Sequence, residues 1–507
     1  MVALYYARLG LTLSHYDARG HLVVARRVID SITPGWQQIG AVWLPLPHLL
    51  NLLPVQIDWM YQTGASGVAI SVAAYAVASG SIAWIVLRLT DSAAAAVVAA
   101  AAFALNPNVL YLQATPMTEP LLIGLTLVAV ALLISWCAAG AERAGPATAV
   151  PGTSRSPTVG TSCGGPRPSA IGVAFALACL TRYEAWPVTA AALSAAVWVR
   201  WRQGNEGSDA FRGVARIAVY PAAAAIVFAM FSRVVVGEWF TASGFFVPEN
   251  KAIGRPLLAL AEIAWGSHAL TGTLMIAIAA VGLCSLVIAG VFNRQRAEGL
   301  LVVALLASAA LPWAAFVRGH PFRIRYMVPL IAAEAIGIGA ATAVVRRAVP
   351  LVALVIVLAL ATEVRPLSSF APMVLEAQWD RPNMRARQHV TDCLRRQDDG
   401  ETIMASMGSL GHYMQEMSRD GFNLRRFLHE GNGDIWLWAL NGPRRYAGWL
   451  LIEEKAEGGD LLAHAARERP TFLEDYERVC EGAGVALYRR VESHRHSVKK
   501  PATRAEP

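Results

Sequence analysis

Long apolar runs dominate the chain. They lie at 64–87, 92–112, 120–139, 217–236, 269–292, 299–317, 326–345 and 349–363, and two shorter runs at 169–181 and 185–199 flank the polar knot TRYEAWP (181–187). Runs near 20 residues with almost no ionised side chains predict helices that cross a hydrocarbon core. The stretch before residue 14 is apolar but only about half the length of a span. It lacks the basic start and small-residue cleavage site of a signal peptide, so it reads as a first helix that is truncated, tilted or wrongly started.

Composition agrees with that pattern. Of 507 residues 55% are hydrophobic and 16% charged, and the mean hydropathy is +0.41. Such a chain cannot build the polar surface of a soluble enzyme, and it is neither a disordered chain nor a small disulfide scaffold. The net charge of +8 needs no nucleic-acid partner, because arginines collect in cytoplasmic connections of membrane proteins. Here they fall at Arg88, at Arg143, Arg155 and Arg167, at Arg200, Arg202, Arg212 and Arg216, at Arg294 and Arg296, and at Arg346 and Arg347. Placing all of them inside gives about eleven crossings with the N-terminus inside and the C-terminus outside, in the cytoplasmic (inner) membrane. Residues 140–168, rich in Gly, Pro and Ser, read as a flexible cytoplasmic linker. No internal repeat stands out.

The same alternation puts 14–63, 106–119, 182–185, 237–268, 318–325 and everything after about 364 on the outer side. Asp17, His21, Glu119, Arg182, Glu184, His320, Arg323 and Arg325 all fall there. Arginines on that side run against the positive-inside bias, and ionisable groups at membrane depth are costly unless they line a cavity or bind something. An anionic ligand at the outer leaflet accounts for the cluster.

Four segments carry the chemistry. HYDARGH (15–21) sets Asp17 beside a helix start, either as its cap or as a carboxylate able to take a proton from a hydroxyl, with His21 four residues on. Thr118-Glu119-Pro120 opens a helix; Glu119 either serves the helix dipole or is a second acid that faces Asp17 and binds an acceptor or shares a metal ion. In LTRYEAWP (180–187) Arg182 and Glu184 either pair with each other or line the site. In RGHPFRIRYMVPL (318–330) Arg323 and Arg325 alternate with Phe322, Ile324 and Tyr326. That is either a solvated loop or a pair of guanidinium forks for phosphate oxygens.

Together these motifs resemble the GT-C superfamily of membrane glycosyltransferases, in particular the bacterial relatives of protein O-mannosyltransferases and of the aminoarabinose transferase. HYDARGH is similar to the family's acidic first-loop motif, Thr118-Glu119-Pro120 to its second acidic motif, Thr181-Arg182-Tyr183-Glu184 to its R-x-E turn, and Arg325-Tyr326-Met327-Val328-Pro329 to its basic R-Y-x-x-P segment. The resemblance spans about 1–363. The first motif carries Asp-Ala where many relatives have two adjacent acids.

The resemblance implies an α-helical polytopic enzyme that moves a sugar from a polyprenyl-phosphate donor to an acceptor hydroxyl on the outer face, with inversion. Asp17 would be the general base, and Arg323 and Arg325 would neutralise the leaving phosphate. Arg182 would assist with Glu184 orienting it, and His21, Glu119, His320 and Tyr326 would hold substrate. A divalent metal ion is left open as a cofactor. The acceptor class (glycan, lipid or protein) is also left open. A transporter or flippase of a lipid-linked or anionic substrate is the main alternative, and a non-catalytic scaffold another.

Beyond 364 the pattern becomes that of a small extracytoplasmic α/β domain (364–492). Helices are predicted at 381–397 and 458–470, strands at 400–406, 445–454 and 484–491, and a disordered tail over 493–507. Only Cys393 and Cys480 fall in this part, and in an oxidising compartment they are candidates for a disulfide. His412 reads as structural.

Overall fold

The computed structural model describes residues 1–144, 165–237, 239 and 251–491. Most of the 140–168 segment and the 493–507 tail lie outside the described residues. The chain divides into two compact units, one made of Met1–Ile29 with Gly35–Asp380, the other of Asp30–Pro34 with the chain from Arg381 on.

The first unit is helical. Among the described residues six helices are long and apolar enough to cross a membrane: Ala65–Thr90, Glu119–Ala139, Gly207–Val236, Thr273–Phe292, Arg294–Val317 and Ile324–Thr342. The expected count of about eleven is not reached on length and apolarity. The 92–112 run breaks where Asn106 caps a new short helix, Pro107–Leu112, its side chain accepting from the Asn108 and Val109 amides. Ala93–Ala104 and Pro168–Cys179 have 12 residues each, and the N-terminal helix, Val2–Arg8, has 7.

The Leu330–Thr342 helix is buried along its whole length. It packs against Thr273–Phe292 almost backbone to backbone. A Cβ on Gly282 would lie 1.7 Å from the Gly337 carbonyl oxygen, and one on Gly337 would lie 2.5 Å from the Ala279 oxygen. Glycines at the crossing allow this approach, as at many helix contacts inside membranes. The segment that leads into this central helix carries Arg323, Arg325 and Tyr326 and is positioned by it.

The unit runs past residue 363, where the sequence suggested a boundary, to Asp380. Met373, Val374 and Ala377 are buried in the main core, the Met373 amide bonds Asn108 Oδ1 at 3.0 Å, and the Ala377 carbonyl accepts from Ser14 at 2.6 Å. Apolar anchors and two buried hydrogen bonds thus hold 371–377 within the helical unit.

The second unit is built on a five-stranded sheet in the order β2-β1-β3-β5-β4, with β1 Ile403–Ala405, β2 Phe427–Leu428, β3 Trp449–Glu453, β4 Tyr476–Gly482 and β5 Val485–Arg490. The first three are parallel; β5 and β4 run antiparallel and are joined by a tight Ala483-Gly484 turn with both residues at positive φ. The predicted helix at 381–397 is present as Arg381–Gln397, and strands and a helix lie within the other predicted segments. Strands β2 and β4 and the helices Met407–Met417 and Asp434–Asn441 had no sequence assignment. Asp30–Pro34 joins this unit because Asp30 accepts from Arg425 Nε at 3.0 Å and Asn432 donates to Ser31 and Thr33 at 3.2 and 2.9 Å.

Candidate active site

The polar residues singled out in the sequence meet at one end of the helical unit. Asp17 lies in the first turn of the Tyr16–Arg27 helix. It is not the cap: His15 is, its Nδ1 accepting from the Asp17 amide at 3.1 Å. This leaves the Asp17 carboxylate free to form an ion pair with Arg325, which comes from 308 positions away along the chain. Both side chains are buried. Arg325 also approaches His15 Nε2 at 3.4 Å.

A second ion pair stands beside the first. Arg182 meets Glu184 at 2.7 Å and Glu119 at 3.0 Å, and donates to Thr118 Oγ1 at 3.0 Å. The Glu119 oxygens are close to the guanidinium yet accept no aligned hydrogen bond. The charge is therefore compensated while the lone pairs stay open to a hydroxyl. The Tyr326 ring joins the two pairs, with the Arg325 guanidinium 5.3 Å and that of Arg182 5.9 Å from its centre.

The remaining residues surround this centre. His320 Nε2 is 3.4 Å from the Tyr326 hydroxyl, and its Nδ1 donates to the Pro321 carbonyl at 2.9 Å. His21, one turn beyond Asp17, lies 3.1 Å from His48 and against Trp43. Arg323 is half-buried with its guanidinium 5.9 Å from the centre of the Trp379 ring, and among the described residues it has no acidic partner. Of Arg182, Arg323 and Arg325 it alone has no acidic partner among the described residues.

Burial and charge oppose one another here. Burial alone would push the Asp17 carboxyl up, but nearby positive charge, chiefly that of Arg325, outweighs it and holds the group below the usual carboxylate range. Burial likewise disfavours charge on Arg182, but Glu119 and Glu184 keep it firmly protonated. His21 is pushed down to about 3, chiefly by burial, and His48 is also driven well below the usual range. Both imidazoles are neutral at physiological pH. Asp17, His21 and Glu119 do not form a metal cluster. Among the described residues, the one group of three His, Cys, Asp or Glu donors within 4.8 Å of one another is His389, Cys393 and Cys480, in the second unit.

Comparison with solved structures places this geometry in a known fold. The crystal structure of ArnT from Cupriavidus metallidurans bound to undecaprenyl phosphate matches with a TM-score of 0.55 at 14% identity, covering 97% of each chain. The fold is that of ArnT. The apo ArnT structure from the same organism matches with a TM-score of 0.56 at 12% identity, over 96% of each chain. No family model matches the sequence, and no curated protein does. The likeness to ArnT thus extends across both units, although few residues are identical.

Several participants were not read from the sequence. Glu376 approaches His15 at 3.4 Å, and Tyr16 lies under Arg325. His48 and Trp43 back His21. Glu376 and Trp379 lie in a stretch whose composition resembles the tail, so only its buried contacts reveal where it belongs. Cys393 and Cys480, the candidates for a disulfide, are unbonded in the structure with their sulfurs within 4.8 Å of one another.

Proposed function

We propose that the chain is a glycosyltransferase that moves a sugar from a polyprenyl-phosphate donor to an acceptor hydroxyl. The observation that carries this is the buried Asp17–Arg325 pair beside Arg323, in a fold shared with an ArnT structure that holds undecaprenyl phosphate. The donor phosphate binds Arg323 first and then draws on Arg325, as guanidinium forks match phosphate oxygens. As Arg325 turns to the phosphate, Asp17 loses its counter-charge and becomes a stronger base.

Transfer is a single displacement with inversion. The acceptor oxygen bonds to the anomeric carbon as the bond from that carbon to the phosphate oxygen breaks. The hydroxyl proton passes to Asp17, and the electron pair leaves with the phosphate. Glu119, with open lone pairs, orients the acceptor. Arg182, held by Glu184, and Tyr326 with His320 keep the centre in place, and His21 supports Asp17 from the next turn.

The site end faces the outer side of the inner membrane. Ser71, in the first turns of Ala65–Thr90, bonds the Thr115 carbonyl next to the site, whereas Arg88 lies in the last turn of that helix. Likewise Glu119 opens its helix, and Arg200 stacks on Trp136 near the far end, 4.2 Å from the ring centre. Arginines gathered at the far ends support reading those ends as cytoplasmic. The second unit is read as extracytoplasmic too. The acceptor is a glycan, lipid or protein hydroxyl. The test is transfer of label from radiolabelled polyprenyl-phosphate sugars by purified protein, wild type against Asp17→Asn. Absence of transfer by the wild type would overturn the reading, and equal transfer by both would remove Asp17 as its base.

A further inference from the structure

The second unit holds a cluster that the proposed reaction does not use. His389 and Cys393 stand four residues apart on the Arg381–Gln397 helix, so they share one face. Cys480 comes from β4, one of the two edge strands of the sheet. The His389 Nε2 to Cys393 Sγ distance is 3.7 Å, and the three donor atoms lie within 4.8 Å of one another.

The register of β4 is what brings Cys480 into this group. Arg478 pairs with Tyr488, but Cys480 pairs with Leu487, so one extra residue is inserted between them. A bulge of this kind reverses which face the following side chains take. Without it Cys480 would share the face of Tyr476 and Arg478. With it Cys480 shares the face of Gly482, where a Cβ would come within 2.2 Å of the Ala386 carbonyl of the Arg381–Gln397 helix. The bulge and the close approach at Gly482 together aim the thiol at the helix that carries His389 and Cys393.

We propose that His389, Cys393 and Cys480 bind one zinc ion that staples the Arg381–Gln397 helix to β4. Two thiolates and an imidazole are the donor set zinc prefers. Tetrahedral coordination with Zn–S about 2.3 Å and Zn–N about 2.0 Å sets N and S donors about 3.5 Å apart, close to the separation seen. Arg396 donates to the Cys393 sulfur at 3.5 Å, which offsets the charge of a bound dithiolate. His389 is exposed, so the fourth position opens to solvent and is filled by water.

The test uses the full-length protein in detergent, stripped with chelator and titrated with Zn(II), and in parallel with Co(II) as a spectroscopic probe. One equivalent of zinc and a thiolate-to-cobalt charge-transfer band are expected. His389→Ala and Cys480→Ser should each weaken zinc binding at least tenfold. His389 is exposed, so its replacement leaves the fold intact and keeps the test decisive if the Cys480 variant misfolds. Binding that survives both substitutions, or no stoichiometric binding at all, would overturn the proposal. So would mass spectrometry of thiol-blocked native membranes that finds Cys393 and Cys480 joined as a disulfide.

Discussion

Replacing Asp17 by Asn separates two roles that the geometry gives to one carboxylate. Asn keeps the shape but removes both the base and the counter-charge of Arg325. Loss of a positioned general base typically costs about 10²–10⁴ in rate, so the chemical step should fall by at least about a hundredfold. Phosphate binding should move the other way. Two unit charges at about 4 Å interact by about 4 kcal/mol at an effective dielectric of about 20, and desolvation cancels much of that for a pair this buried. A net release of about 1–2 kcal/mol on Arg325 corresponds to about 5–30-fold tighter binding of a polyprenyl phosphate. Single-turnover transfer of labelled sugar measures the first effect, and competition by unlabelled polyprenyl phosphate measures the second. Transfer within tenfold of wild type would remove Asp17 as the base. Weaker phosphate binding by Asp17→Asn would refute the idea that Asp17 holds Arg325 in reserve for the donor.

Arg323, without an acidic partner, should act mainly in donor binding. Arg323→Met is expected to raise the KM for donor about tenfold or more, the worth of a charge-assisted hydrogen bond, with a smaller change in kcat; an unchanged KM would count against it. The buried neutral pair His21 and His48 predicts acid lability. Their pKa values are depressed by folding, His21 to about 3, so below about pH 6.5 the unfolded chain binds protons that the folded one refuses. Stability should therefore fall on acidification by about 1.4 kcal/mol per pH unit for each ring, read as melting in detergent from pH 7.5 to 5, and a flat profile would contradict it. Gly282→Ala should destabilise the helical unit by about 1–3 kcal/mol or more, because its methyl group meets the Gly337 backbone rather than a side chain that can move. Wild-type melting of that variant would show that the two helices cross elsewhere.

The candidate residues stood out in the sequence because charges stranded at the ends of apolar runs are conspicuous, and the local pair of Arg182 with Glu184 could be read there too. The long-range pairing could not. Asp17 with Arg325 and Glu119 with Arg182 depend on helix crossings such as Gly282 over Gly337, and no local pattern encodes which ridge meets which groove. The amphipathic helix at 381–397 was legible because one face must be apolar against a sheet, whereas the bulge before Cys480 is a one-residue change in register that alternation alone does not betray. Length and apolarity among the described residues leave the count of about eleven spans unconfirmed, for a related reason. Ile324–Thr342 is the most buried of the six long helices yet the least apolar, whereas Gly207–Val236 is the least buried and more apolar. Apolarity reports that a segment has left water and is silent on whether protein or lipid replaced it. Short apolar helices such as Ala93–Ala104, packed against other helices, look like pieces of a span for the same physical reason that a true span does.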